Sequence, residues 1–148
     1  MMSKNKILFL AANVLMMAAF ACRAETIVVK GQGISFAPSV IKAQVGDIIA
    51  FKEMTGHFVD PVANLWPEGA EPMHSQMGAD YNYEVKKEGL YVFKCPPHWG
   101  ARMGAVMLVG NPADLSSTLD KYFSIAETEA DAKPAKGLLK KFKETLAK

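Results

Sequence analysis

Apolar positions between residues 26 and 110 come in short bursts. Ile27-Val28-Val29, Val40-Ile41, Ile48 to Phe51, Tyr81 to Val85, Leu90 to Phe93 and Val106 to Val109 are β-branched or aromatic runs, separated by Gly, Pro and Asp turn signals. That spacing predicts a mainly β chain arranged as a sandwich. Tyr81, Tyr83 and Val85 alternate with Asn82 and Glu84, the pattern of a strand with one wet face. Lys87-Glu88-Gly89 then reads as a tight connection to the next strand.

After Gly110 the period changes from two to that of a helix. Asn111 is placed to cap a helix opened by Pro112, with Leu115, Leu119, Tyr122 and Phe123 on one stripe. A second helix is predicted from Pro134, with Leu138, Leu139, Phe142 and Leu146 on one face and Lys136, Lys140, Lys141 and Lys143 largely on the other. Its amphipathic face has two readings, a membrane-surface or partner contact, or an apolar stripe packed on the sandwich beneath solvated lysines. There is no internal repeat and no long low-complexity linker.

The first residues follow a different logic. Lys4 and Lys6 precede an uncharged run from Ile7 to Phe20 and then small residues, the three-part pattern of a secretory signal. The run is too short to cross a bilayer comfortably, so no membrane span is expected. The expected organisation is a signal over residues 1–24, a β-sandwich over 25–110, and a helical extension of the same domain over 111–148. Cleavage after Ala21 is the competing site. It would leave Cys22 at the N-terminus, as in a lipoprotein, but Ala19-Phe20-Ala21 lacks the leucine that such sites place three residues before the cysteine.

Without residues 1–24 the chain carries 14 basic against 15 acidic residues. Residues 25–131 hold 8 basic and 14 acidic groups, a balance of −6, whereas from Lys133 onward six lysines face Glu144 alone, a balance of +5. No basic face interleaved with aromatics accompanies any candidate chemistry, which argues against nucleic acid as a partner.

The chemistry lies in Cys95-Pro96-Pro97-His98-Trp99-Gly100-Ala101-Arg102-Met103, with His57 well upstream. Two residues from Cys to His and four from His to Met bring three side chains to one point, and His57 follows the run Ile48 to Phe51, where a neighbouring strand would end. A soft thiolate, two imidazoles and a weak thioether form the ligand set of a type 1 copper site, which serves both Cu(I) and Cu(II). Taken singly, His98 could cap a loop, Cys95 could be a buried thiol and Met103 could fill a core. If Cys22 leaves with the signal, Cys95 is a lone cysteine in an oxidising compartment, where metal ligation would protect it.

On these residues the chain resembles the cupredoxins, and among them the pseudoazurin family of periplasmic blue copper proteins. Beyond the ligand loop the likeness runs through Phe36-Ala37-Pro38, Val45-Gly46-Asp47, Gly56-His57, Pro67-Glu68-Gly69-Ala70-Glu71 and Gly89-Leu90-Tyr91-Val92-Phe93-Lys94-Cys95. The resemblance implies an eight-stranded Greek-key β-sandwich with two C-terminal α-helices, and one copper bound near one end by His57, Cys95, His98 and Met103. It also implies a periplasmic location, a monomer, and redox partners such as a copper nitrite reductase or a c-type cytochrome. Two positions depart from the family pattern. Phe58 stands where an Asn usually follows the first histidine, and Pro96 where a Thr or Ser usually follows the cysteine, so the polar tie between the two ligand loops cannot form; the backbone N–H of Phe58 remains able to donate to the Cys95 sulfur.

Other residues have both a structural and a functional reading. Met73, His74 and Met77 could hold Cu(I) or simply pack a loop. Trp66 is expected in the core and Trp99 at the exposed mouth of the site, while Met54 and Met107 are expected as core or rim groups. Lys52, Lys94 and Arg102 could steer an acidic partner or be merely solvated. Three functions follow: a diffusible one-electron carrier, copper trafficking or storage, and a copper enzyme. With three histidines and no His-x-His pair the chain offers no second type of copper centre, which sets the enzyme aside.

Overall fold

The computed structural model describes residues 23–148. The leader reading and the Cys22 alternative fall on residues outside them, apart from Arg23 and Ala24, which precede the first strand. Eight strands form two four-stranded sheets: β1 (Thr26–Gln32), β2 (Ser35–Ala37), β3 (Val40–Ala43), β4 (Ile48–Lys52), β5 (Asp60–Pro61), β6 (Tyr81–Glu84), β7 (Gly89–Lys94) and β8 (Gly104–Val109). One sheet has the order β2-β1-β4-β6 and the other β3-β8-β7-β5. Within them β1 pairs with β4, and β3 with β8, in parallel; the remaining pairs are antiparallel. Each predicted run is a strand. The two unpredicted strands, β2 and β5, have three and two residues and exist through their pairing with β1 and β7.

Alternate residues of the two sheets meet in the main core. Val29, Phe36, Ile49, Phe51 and Tyr83 from the first sheet face Ile41, Tyr91, Phe93, Ala105, Met107 and Val109 from the second. Met54 and Met107 are buried there as expected. The outer face of the second sheet is covered by α1 (Leu115–Thr128) and α2 (Ala135–Leu146), whose Leu119, Tyr122, Ala126, Ala135, Leu139 and Phe142 pack on Leu90, Val92, Val106 and Leu108. Strands β7 and β8 are therefore covered on both sides, which is why their sequences are unbroken apolar runs rather than alternating ones. The stripe of α2 thus packs on the sandwich, leaving its lysines outside. No helix of the described residues is long and apolar enough to cross a membrane.

Helix α1 starts later than Asn111 and Pro112 suggest. The Asn111 backbone N–H donates to Glu88, which holds it in the connection from β8, and the helix begins after Asp114, whose carbonyl accepts from Thr118 N–H at 2.9 Å. At the other end of the fold, Asp47 is only 5% exposed. Its carboxylate accepts the backbone N–H of Glu25 at 2.9 Å and that of Gln44 at 2.7 Å, clamping the start of β1 to the turn between β3 and β4.

Candidate metal centre

The antiparallel pair β7 and β8 ends at one pole with Lys94 opposite Gly104. One step beyond, Cys95 N–H donates to the Met103 carbonyl at 2.8 Å, extending the ladder so that Cys95 and Met103 face each other. Between them Pro96–Ala101 forms a 3-10 turn, opened by a proline whose fixed φ suits that position. His98 N–H returns to the Cys95 carbonyl at 3.0 Å and Met103 N–H to the His98 carbonyl at 3.2 Å. Arg102 closes the turn in the left-handed region, φ 65°, with its N–H on the Trp99 carbonyl at 2.8 Å.

His57 arrives from the end of β4. Its N–H donates to Met54 O at 2.8 Å, and its carbonyl accepts from Gly78 N–H at 2.9 Å. Gly31 of β1 seats the ring: a Cβ there would lie 2.8 Å from His57 Cδ2 and 3.0 Å from the Glu53 carbonyl. Any side chain at Gly31 would push the imidazole aside.

These elements bring His57, Cys95 and His98 together. The two Nδ1 atoms lie 3.2 Å apart, and Cys95 Sγ is 3.7 Å from His57 Nδ1 and 3.5 Å from His98 Nδ1. A point equidistant from three atoms so spaced is about 2 Å from each, close to the roughly 2.0–2.3 Å bonds that imidazole nitrogen and thiolate sulfur make to a first-row metal. One sulfur and two nitrogens in a triangle is the trigonal donor set of blue copper sites. Among the described residues this is the one such group of His, Cys and acidic side chains. Cys95 is a free, fully buried thiol, His57 is 7% exposed, and His98 is half-buried. Burial, and then the nearby His98, lower the pKa of His57, which keeps its imidazole in the neutral form that can bind a metal. Met103 is fully buried in the same core cluster as Cys95. Among the described residues the hydrogen-bond partners of Cys95 Sγ are the two imidazoles, so the donation expected from Phe58 N–H is not seen.

One neighbour stands elsewhere than the sequence implies. Trp99 is not at an exposed mouth: it is 7% exposed and belongs to the cluster under the helices, with its indole N–H on the Asp131 carbonyl at 2.6 Å. A large apolar residue beside a ligand turned inward because Gly104 leaves room for its ring. Trp66 is half-buried with its ring edge-on to Tyr91 at 4.7 Å, and its buried Nε1 has no partner. The Met73-His74-Met77 cluster is divided: Met73 is fully buried in the core, His74 pairs with Asp60 at 2.8 Å, and Met77 is exposed. Lys94 is held by Asp131 at 2.8 Å, and Lys52 pairs with Asp80 at 3.1 Å, while Arg102 is exposed at the pole. Gly31, Gly104 and Asp131 act on the site without any signal in the ligand spacing, since each meets it only through the tertiary fold.

A family profile described as copper binding proteins, plastocyanin/azurin family, matches residues 23–110. Curated relatives include the pseudoazurin of Paracoccus pantotrophus, 35% identical over 77 residues, which are 51% of this chain and 53% of that protein. The pseudoazurin of Methylorubrum extorquens is 34% identical over 80 residues, 53% of this chain and 54% of the relative. The chain thus spans about half the length of the curated relatives it matches. Among solved structures, pseudoazurin from Methylobacterium extorquens AM1 aligns with a TM-score of 0.65 at 28% identity, over 78% of this chain and 98% of that one. The pseudoazurin of Hyphomicrobium denitrificans gives 0.61 at 30% identity, over 78% and 97%.

Proposed function

The chain belongs to the plastocyanin/azurin family of copper-binding proteins, and from that premise we propose that it is a diffusible one-electron carrier holding one type 1 copper through His57, Cys95, His98 and Met103. The observation that carries this reading is the triangle of one thiol sulfur and two imidazole nitrogens with sides of 3.2, 3.5 and 3.7 Å. Copper, when bound, supplies a centre that gains and loses one electron.

The protein's own part is to hold the donors still and dry. Cys95 and Met103 are fixed opposite each other by the extended ladder, and His57 is wedged by Gly31. Little reorganisation is then needed when the charge at the centre changes. Of the four ligands, His98 alone is more than marginally exposed, so its edge is the exit for the electron. Phe58, Pro96 and Pro97 are half-buried or exposed beside the ligands and offer an apolar rim for brief docking. The pattern of residues 1–24 supports export and removal of that segment, and a monomer in the periplasm meeting a copper nitrite reductase or c-type cytochrome is the setting consistent with the family. Residues 25–148 would form one domain there, since the helices bury their stripe on the second sheet.

Copper trafficking is the competing reading. The soft-ligand cluster that would favour it is divided, with Met73 in the core and His74 on Asp60. The test is to load the protein with copper and record its visible spectrum and voltammogram. We expect an intense thiolate-to-copper colour, lost in Cys95→Ser and retained in His74→Ala, with many reversible cycles and no release of metal. Colour surviving Cys95→Ser, or copper leaving on reduction, would refute the assignment.

A further inference from the structure

The ligand loop is gripped by the C-terminal segment at three places, and each grip falls on the residue next to a proposed ligand. Lys94 precedes Cys95, and its ammonium reaches both carboxylate oxygens of Asp131, at 2.9 and 2.8 Å. Trp99 follows His98, and its indole N–H donates to the carbonyl of the same Asp131. Gly104 follows Met103, and a Cβ there would lie 2.8 Å from Trp99 Cζ3 and 3.0 Å from Leu138 Cδ1. Bare backbone at Gly104 therefore lets the indole and α2 close over the start of β8. The Lys94 ammonium also stands 5.9 Å from the centroid of the Trp99 ring, on the cation–π scale.

We propose that Trp99 is a positioning residue of the copper centre, tying the loop to Asp131 and so fixing where Met103 stands relative to the triangle of Cys95, His57 and His98. The inference rests on the type 1 copper reading above. The ladder bond between Cys95 and Met103 holds the two ends of the loop, but the return from His98 to Met103 passes through Arg102, a non-glycine residue at φ 65°. A conformation of that kind persists only where its surroundings over-determine it. Trp99 supplies that constraint through both its backbone and its side chain: its carbonyl accepts Arg102 N–H, and its indole is held against Asp131, Gly104 and the cluster under α2. A thioether that would hold copper only weakly is sensitive to small shifts in this return, and residues just outside the ligands set their orientation.

The test compares Trp99→Phe with Leu119→Ala in the otherwise intact protein. The first keeps aromatic bulk and removes the indole N–H. The second empties volume in the same helical cluster, at the far end of the helix pair beside Leu146. In metal-free protein, amide exchange at Cys95 and Met103 should quicken about tenfold in Trp99→Phe beyond what its global stability accounts for, and in Leu119→Ala only in proportion to stability. In copper-loaded protein, Trp99→Phe alone should change the relative intensities of the thiolate-to-copper bands. It should also lower the Cu(II)-to-Cu(I) affinity ratio severalfold, because a loosened thioether donates less to the more highly charged ion. Equal effects of the two variants, or unaltered amides and spectrum in a folded Trp99→Phe, would overturn the proposal. A wild-type protein without the blue colour would instead sink the copper reading, and the metal-free exchange distinguishes the two failures.

Discussion

Phe58 and Pro96 each stand directly after a proposed ligand and bring no polar side chain to it. Phe58 is half-buried directly after His57, and Pro96 opens the 3-10 turn directly after Cys95 without an N–H to offer. The oxidised centre carries one more positive charge than the reduced one, so an apolar lining disfavours it and raises the potential. Restoring polar groups with Phe58→Asn and Pro96→Thr together should lower the potential by more than the two single shifts added. Voltammetry on the four proteins reads this as a cycle, and a tenfold change in Cu(II) over Cu(I) preference would appear as about 59 mV. Strict additivity, or a rise, would show that the two residues do not act as a pair. That His57, Cys95 and His98 meet was legible in the chain, because a thiol and an imidazole two residues apart, with another histidine placed where a strand ends, have few other uses. Trp99 was not, because a tryptophan after a ligand can turn out or in, and only Gly104 and Asp131, five and 32 residues on, decide it.

At the scale of elements, β7 and β8 were legible as apolar runs and the two C-terminal helices by their period, but which face of which sheet the helices cover is decided only in the packing. The short β2 and β5 carry too few residues to leave a pattern, and α1 begins after Asp114 because Glu88 holds Asn111 outside it. Three buried tyrosines donate to backbone carbonyls, two in connections and one across elements. Tyr83 donates to the Glu71 carbonyl at 2.6 Å, Tyr91 to that of Lys87 at 2.5 Å, and Tyr122 of α1 to that of Leu90 in β7 at 2.8 Å. Burial raises the pKa of all three, with neighbouring tyrosines and acidic groups adding to it at Tyr83 and Tyr122; Tyr91 is pushed up to about 12. In the unfolded chain each phenol ionises near its ordinary value of about 10, so stability is full below that pH and is lost as pH rises towards the folded values. Thermal melts should therefore hold steady up to about pH 9 and fall steeply between about 10 and 12. Tyr122→Phe should cost about 1 kcal/mol at neutral pH and make the alkaline fall shallower. A melt that falls no further between those values than at neutral pH would show that these phenols do not control alkaline stability.

Among the described residues, the first strand and the last helix are both tied into the sandwich. The basic C-terminal run lies on α2, whose apolar stripe seals one sheet. The start of β1 is held by the buried carboxylate of Asp47, which accepts the Glu25 backbone N–H. That contact would give a cut just upstream of it a part in stability. If a leader is cut off after Ala24, the amide nitrogen of Glu25 becomes an ammonium at the very place where a buried carboxylate awaits it. A hydrogen bond from a neutral amide to the carboxylate is exchanged for one in which both partners are charged. The cleaved chain should then melt a few degrees above the same chain carrying even two residues upstream of Glu25, an increment of about 1 kcal/mol. Asp47→Asn should erase the difference, and equal melting of the two chains would show that the contact is indifferent to the cut. Such a cut would then add an ion pair at the start of β1, and a chain still carrying residues upstream of Glu25 would be told apart by its lower stability.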